Sequence, residues 1–327
     1  LWSEPGKEES NRCCTPDAMA QARRVAGILD IPFYVVDAKE VFKDTVVRYF
    51  LDGYARGETP NPCLICNRQI RWTFLLNHAL ALGAEFMATG HYVRRRTTDD
   101  GRHELLRAVD HLKDQSYVLH VLKQDQLAHA LFPVGEFSKP EIRRIAADFG
   151  LPTASRADSQ DLCFLAGDDY RNFLQRNAPE MLKPGEIVRT DGKSIGQHNG
   201  LANYTIGQRK GLNVASHIPL YVMTKQAVGN TLVVGTLEEL GFTELTARDV
   251  NWTSGEAPRE PFRAQVKIRY TAKEAEALVS PMEGEQASPE QGRRASVKFD
   301  APVRDVTAGQ AAVFYQGEVM LGGGIIT

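Results

Sequence analysis

A change of texture partway along the chain limits the architecture more than any other feature. Up to about residue 176 helical and strand patterns alternate. Beyond it, short strands bounded by glycine dominate. Thr15-Pro16-Asp17 reads as a helix start, with a hydroxyl cap, proline at the first helical position and an acid near the positive end of the dipole. That helix covers residues 18–29 and stops before Pro32. The apolar run Phe33-Tyr34-Val35-Val36 predicts a buried parallel strand. Helical patterns follow over 38–54 and from near Leu64 to about Leu82. Residues 85–90 then read as a strand ending in glycine. Residues 93–109 predict a hairpin around Asp99-Asp100-Gly101, and residues 115–131 a helix. Ser138-Lys139-Pro140-Glu141 is a capping box whose helix ends at Gly150. Residues 151–161 read as a connecting loop. This alternation predicts a doubly wound α/β unit.

After a short helical pattern at 168–176, strands are expected at 186–189, 220–224 and 231–235. A further set comes at 262–270, 294–299, 311–315 and 318–321. Two small β domains are implied, the last a barrel. The expected division is 1–160, 161–240 and 241–327, in keeping with 327 residues being too many for one ordinary core. The chain begins at Leu1, and its first elements read as the second unit of an α/β domain, so a preceding strand, loop and helix are expected upstream.

The composition, 43% hydrophobic and 24% charged, fits a globular protein without a membrane span or signal peptide. Five irregularly placed cysteines argue against a secreted disulfide scaffold and for a reducing, cytoplasmic setting. The net charge of −2 excludes a polycation. A nucleic acid would have to meet a local basic surface. Arg68 with Arg71, Arg94-Arg95-Arg96, Arg143-Arg144, Arg209-Lys210 and Arg293-Arg294 are the clusters available, each of which otherwise serves as a solvated face.

Chemistry concentrates on Cys63, Cys66 and Cys163. Pro60 and Pro62 hold Thr59-Pro60-Asn61-Pro62 extended, and a helix starts close to Cys63 or Leu64. Cys66 therefore lies near the first turn. There the dipole, Arg68 and Arg71 favour the thiolate. The plain alternative is a small buried core residue. Cys163 alone reads as a buried cysteine and gains meaning only if paired with Cys66. Cys63-x-x-Cys66 is also a metal or redox signal, but no second such pair supplies four zinc ligands, and Cys13-Cys14 are adjacent. Three thiolates from Cys63, Cys66 and Cys163 would suit an iron–sulfur cluster with one open iron.

Several motifs occur in order along the chain. They are Thr59-Pro60-Asn61-Pro62 with Cys66-Asn67, Ala88-Thr89-Gly90-His91-Tyr92, Lys113-Asp114-Gln115-Ser116-Tyr117 and Leu131-Phe132-Pro133-Val134-Gly135. Then come Asp158-Ser159 with Cys163-Phe164, Thr205-Ile206-Gly207-Gln208-Arg209-Lys210-Gly211-Leu212, and Gly309-Gln310-Ala311-Ala312-Val313-Phe314-Tyr315 with Leu321-Gly322-Gly323-Gly324. Together they resemble the bacterial tRNA-specific 2-thiouridylases. The resemblance implies an N-type ATP pyrophosphatase (PP-loop) domain, adenine-nucleotide alpha-hydrolase-like and here cut short at its start. It also implies a small central β domain and a tRNA-binding C-terminal β-barrel. The implied reaction uses ATP and Mg2+ to adenylate C2 oxygen of the wobble uridine, which sulfur then replaces. Cys66 matches the nucleophile and Cys163 the persulfide carrier, loaded by a cysteine desulfurase or sulfur relay protein. A disulfide between the two is implied as sulfur is delivered.

By the same resemblance Asn61, Pro62 and Cys63 stand beside the target base. His91, Lys113, Asp114, Gln115, Arg269, Tyr270 and Gln310 lie along the tRNA, and Gly90 contacts ATP. Ordinary structural roles compete: Tyr270 as barrel core, Asp114 and Gln115 as a helix start. Two departures stand out. The family's Ser-Gly-Gly-Val-Asp-Ser phosphate loop is not among these residues, which leaves a non-catalytic tRNA-binding protein as a rival reading. Position 63, commonly Asp, is Cys, which keeps the cluster reading open.

Overall fold

The computed structural model describes residues 1–6, 15–156, 162–165, 167–282 and 293–327. Cys13-Cys14, Asp158, Ser159 and the end of the 151–161 loop lie outside them. Helix α1 (Pro16–Ile28) starts as its sequence dictates, with Thr15 Oγ1 accepting from Ala18 N at 3.0 Å. Helix α2 spans residues 39–55 and helix α3 residues 62–81. Each contains a widened π-helical stretch, Lys43–Val47 in α2 and Cys66–Leu75 in α3. In α3 the widening has local causes. Thr73 Oγ1 donates to the Arg68 carbonyl at 2.7 Å, and Gln126 Nε2 donates to the Trp72 carbonyl at 2.7 Å. Carbonyls taken by side chains leave the regular ladder.

Strand β1 (Met87–Ala88) leads to a hairpin of β2 (Val93–Thr97) and β3 (His103–Arg107), and β4 (Ala130–Leu131) pairs parallel with β1. Helix α4 (Gln124–Ala128) precedes β4, α5 (Lys139–Asp148) carries the expected capping box, and α6 (Tyr170–Asn177) is capped by Asp169. Two sequence expectations fail. Residues 33–36 form no strand, and Tyr34 and Val35 are 75% and 61% exposed. Among the described residues no strand pairs with them, and a strand exists only where neighbours take its N–H and C=O groups. The helix expected over 115–131 is broken into a 3-10 turn (Ser116–Leu119), α4 and β4. Asn251 Nδ2 captures the carbonyls of His120 and Leu122, both at 2.7 Å, so the helical ladder cannot continue there.

The central unit is a four-stranded sheet of β5 (Gly185–Arg189), β6 (Ser194–His198), β7 (Tyr221–Gln226) and β8 (Thr231–Gly235), in the order β6-β5-β8-β7. The last unit is a closed antiparallel barrel of six strands. These are β9 (Phe242–Trp252), β10 (Phe262–Lys267), β11 (Ala275–Met282), β12 (Arg294–Val303), β13 (Ala311–Gln316) and β14 (Val319–Ile326), closed by pairing of β13 with β14. Alternation places Ala264 and Val266, Ala277 and Val279, and Ala295, Val297 and Phe299 inside around Trp252 and Phe314. Closure depends on Gly323, because a Cβ there would stand 2.7 Å from the Ala312 carbonyl oxygen.

The barrel and the N-terminal unit share a core. The hairpin extends the barrel sheet through β3 on β14, and Leu64, Trp72 and Tyr117 bury with Ala311, Val313 and Tyr315. Arg107 seals this seam. It grips Glu274 with both ends of its fork, at 2.6 and 2.8 Å, donates to the Gly317 carbonyl, and lies 3.8 Å over the Tyr315 ring. Arg107→Met should strand a partly buried carboxylate and destabilise the fold by about 3 kcal/mol. Urea unfolding measures this, and a loss under about 1 kcal/mol would show that the seam does not depend on the pair.

Candidate functional site

The site grows from the two residues that come soon after α2. Glu58 N donates to the Gly53 carbonyl at 3.0 Å, and the Glu58 carbonyl accepts from Lys225 Nζ at 3.1 Å. Thr59 N donates to the Ala308 carbonyl at 2.8 Å, and the Thr59 carbonyl accepts from Gln310 Nε2 at 2.7 Å. Lys225 also donates to Thr59 Oγ1 at 3.2 Å, while Arg248 Nη2 reaches the Glu58 carboxylate at 3.0 Å. Lys225 belongs to the central sheet; Arg248, Ala308 and Gln310 belong to the barrel unit. Gly309 makes the approach possible. It sits at φ +90°, and a Cβ would be 2.9 Å from Glu58 Cβ. Beyond Thr59, Pro60 and Pro62 are buried, and Asn61 Oδ1 accepts from Cys63 N at 3.2 Å, capping α3.

Cys66 stands one turn later, half-buried, while Cys63 is exposed. Asn67, only 3% exposed, donates from Nδ2 to the Val118 carbonyl at 3.2 Å. Arg71 Nη1 donates to Asn67 Oδ1 at 3.3 Å and to His91 Nε2 at 2.7 Å. His91 therefore carries its proton on Nδ1 and donates to Thr89 Oγ1 at 2.8 Å. Burial, reinforced by the Arg71 guanidinium, brings its pKa down to about 3, so the ring is neutral. Arg68 is also lowered, chiefly by burial, with Asp249 opposing.

Cys163 opens a short 3-10 turn (Cys163–Leu165) and is half-buried. The next residue, Phe164, packs against Phe50 at 5.3 Å, Phe173 at 5.5 Å and Phe42 at 6.1 Å between ring centroids. Cys66 and Cys163, from distant parts of the chain, each pack against the hydrophobic core cluster that contains these rings. No three Cys, His, Asp or Glu side chains gather to hold a metal among the described residues. Cys63, Cys66 and Cys163 thus do not fit the three-thiolate cluster that sequence spacing left open.

The other sequence-selected residues fall into two groups. Gly90 is exposed at the end of β1, with open space where a Cβ would stand. Tyr270 is 46% exposed, with Lys267 Nζ 6.0 Å from its ring centroid; it is not barrel core. Lys113 is half-buried, and Arg269 pairs with Asp305. Asp114 turns inward. It is 4% exposed, and its carboxylate accepts from Ala108 N at 3.0 Å and Ser116 Oγ at 2.8 Å. Gln115 exchanges bonds with the Tyr92 backbone at 2.8 and 3.0 Å. The 94–96 run is likewise spent internally: Arg94 on Glu318, Arg95 on the Leu127 carbonyl, Arg96 on Glu104. Lys225 and Arg248 escaped sequence reasoning. Each reads locally as an ordinary solvent-side residue on a strand, and only their far partners mark them.

His91 and His120 make stability depend on pH. Both are buried, and burial holds His120 at about 4. Their folded pKa values lie below the unfolded value of ~6.5, so the unfolded chain binds the extra protons between these limits. The stability they confer is complete above about pH 6.5 and is lost as pH falls toward their folded values. The urea midpoint should therefore drop steadily between pH 6.5 and 5, and a His91→Gln, His120→Gln variant should show a flatter profile. A wild-type midpoint constant over that interval contradicts the assignment.

Comparison with known proteins agrees with this layout. Residues 1–167 match the model of the tRNA methyl transferase HUP domain, 171–236 the tRNA methyl transferase PRC-barrel domain, and 242–326 the aminomethyltransferase beta-barrel domain. The whole chain aligns with tRNA-specific 2-thiouridylase MnmA of Moorella thermoacetica at 46% identity, covering 90% of that protein. It aligns likewise with the MnmA proteins of Magnetococcus marinus, at 45% identity over 89%, and Acetivibrio thermocellus, at 42% over 90%. With similarity of this extent running from end to end, the chain belongs to the tRNA-specific 2-thiouridylase family.

Proposed function

We propose that the protein is a tRNA-uridine 2-sulfurtransferase that replaces the C2 oxygen of the wobble uridine with sulfur. The observation that supports this reading is that Cys66 and Cys163, distant in sequence, pack against one and the same hydrophobic core cluster. ATP, with Mg2+, is the substrate that makes the C2 oxygen a leaving group by adenylation. Gly90, open at the end of β1, is the position on this chain proposed to face it.

Cys163 carries the outgoing sulfur as a persulfide, received from a cysteine desulfurase or relay protein. Its terminal sulfur adds to the activated C2, and AMP departs with the original oxygen. The Cys66 thiolate then attacks Cys163 Sγ. The Sγ–S bond breaks, its electron pair leaves with the sulfur now on the base, and a Cys66–Cys163 disulfide remains. A thiol reductant returns both cysteines to thiols.

The uridine must leave the anticodon stack to reach these thiols. Asn61, Pro62 and Cys63 are proposed to line its pocket, fixed in place by the capped start of α3. Tyr270 offers the most exposed aromatic face of the tRNA set, and Lys113, Arg269 and Gln310 the polar contacts. His91, Asp114 and Gln115 support this wall through their internal bonds. Among the described residues no helix is long and apolar enough to cross a membrane, and a cytoplasmic setting is part of the proposal.

In the full-length protein, Cys66→Ser and Cys163→Ser should each abolish 2-thiouridine, read by mass spectrometry of digested tRNA, while tRNA affinity stays within about twofold. Thiolation persisting in either variant would sink the two-thiol scheme. Cys63→Asp should retain activity within about threefold, because this exposed position supplies no sulfur in the scheme. Complete loss in that variant would give Cys63 a chemical role.

A further inference from the structure

We infer that Lys225, on the central sheet, is a positioning residue for Cys66, acting through the Glu58–Thr59 segment. This inference rests on the proposed role of Cys66 and extends it to a unit to which the reaction otherwise gives no part. The Lys225 ammonium donates to the Glu58 carbonyl at 3.1 Å and to Thr59 Oγ1 at 3.2 Å, across more than 160 residues of sequence. The ammonium nitrogen lies over Tyr54, 5.8 Å from its ring centroid, and Tyr54 stacks on Tyr170 of α6 at 5.5 Å.

The surroundings make this contact costly. Burial brings the Lys225 pKa down to about 8, with the Glu58 carboxylate opposing the drop. That carboxylate is shared with Arg248 and Arg56, so it is not dedicated to Lys225. A half-buried ammonium that shares its nearest carboxylate with two arginines stabilises little, and an apolar side chain of similar length would fill the site at less cost. What an apolar residue cannot do is hold two oxygen atoms in fixed positions.

The link to Cys66 is mechanical. Thr59 is followed by Pro60, by Asn61, whose side chain is tied to Cys63 N, and by Pro62, the first residue of α3; both proline rings fix φ. Such a segment transmits a displacement rather than absorbing it. Misplacing a reacting group by about 1 Å costs on the order of 10²-fold in rate.

The test is Lys225→Met in the full-length protein. It should lower kcat for thiolation about tenfold or more while KM for tRNA stays within about threefold and Tm holds or rises. Without tRNA or ATP, iodoacetamide should alkylate Cys66 at a rate at least about threefold different from wild type, mapped by peptide mass spectrometry. Unchanged kcat with unchanged alkylation overturns the inference, and so does a kcat loss that merely tracks a fall in Tm. If Lys225→Met does not fold, Thr59→Val removes only the hydroxyl acceptor and must show the same kcat-selective loss; wild-type kcat there overturns it. Failure of the two-thiol scheme itself is separable, because it appears as thiolation by Cys66→Ser.

Discussion

The structure depends on how the backbone of Glu58 and Thr59 is satisfied. Four polar groups of two consecutive residues are bonded by α2, by the central sheet through Lys225, and by the barrel unit through Ala308 and Gln310. A polar backbone group withdrawn from water without a partner is expensive, so this segment is well defined only when all three units are assembled around it. The segment leads directly into the capped start of α3 and hence to Cys66. Fold and site are therefore one construction problem. The barrel unit supplies two of the four bonds that set where the proposed nucleophile stands.

A second line of support reaches α3 from the other side of Cys66 in sequence. Asn67, Arg71, His91 and Thr89 form a chain of hydrogen bonds from α3 to the end of β1, and it works only with a neutral imidazole, because Arg71 donates to Nε2. Burial enforces that neutrality. On the other flank, Asp114 holds Ser116, Ser116 Oγ meets Tyr315 Oη at 2.9 Å, and Tyr315 lies under Arg107. The 113–115 turn is thereby anchored to the barrel core. Residues that a motif singles out as ligand contacts are here spent on holding the wall in shape, which reconciles their presence in a binding motif with their burial.

What was legible in the sequence was local. Caps at Thr15 and Ser138, the helix start near Cys63, the Asp99-Asp100-Gly101 hairpin and the alternating barrel strands all depend on residues within a few positions of one another. The placement of Cys66 in the first turns of a helix was legible for the same reason, since the prolines that start that helix are adjacent in sequence. The failures are non-local. Residues 33–36 have the composition of a buried strand, but pairing is a property of the neighbour. Residues 115–131 have a helical pattern, but Asn251, from another unit, takes two of the carbonyls. Lys225 and Arg248 could not be found at all, because their signal is their partner and nothing in β7 or β9 announces it.

The two cysteines are held differently, and the difference suits a reaction that needs two thiols in sequence. A disulfide requires Cα atoms within about 7 Å, whereas a sulfur donor must also have room to load the carrier thiol. Cys66 is fixed from both sides, by the Glu58–Thr59 bonds before it and by the Asn67–Arg71–His91 chain after it. Cys163 stands on a three-residue turn, and the aromatic contacts nearby belong to its neighbour Phe164. In the proposed scheme Cys163 is loaded and delivers the sulfur, and Cys66 then closes the disulfide. Both thiols pack against the hydrophobic cluster that contains Phe42, Phe50, Phe164 and Phe173.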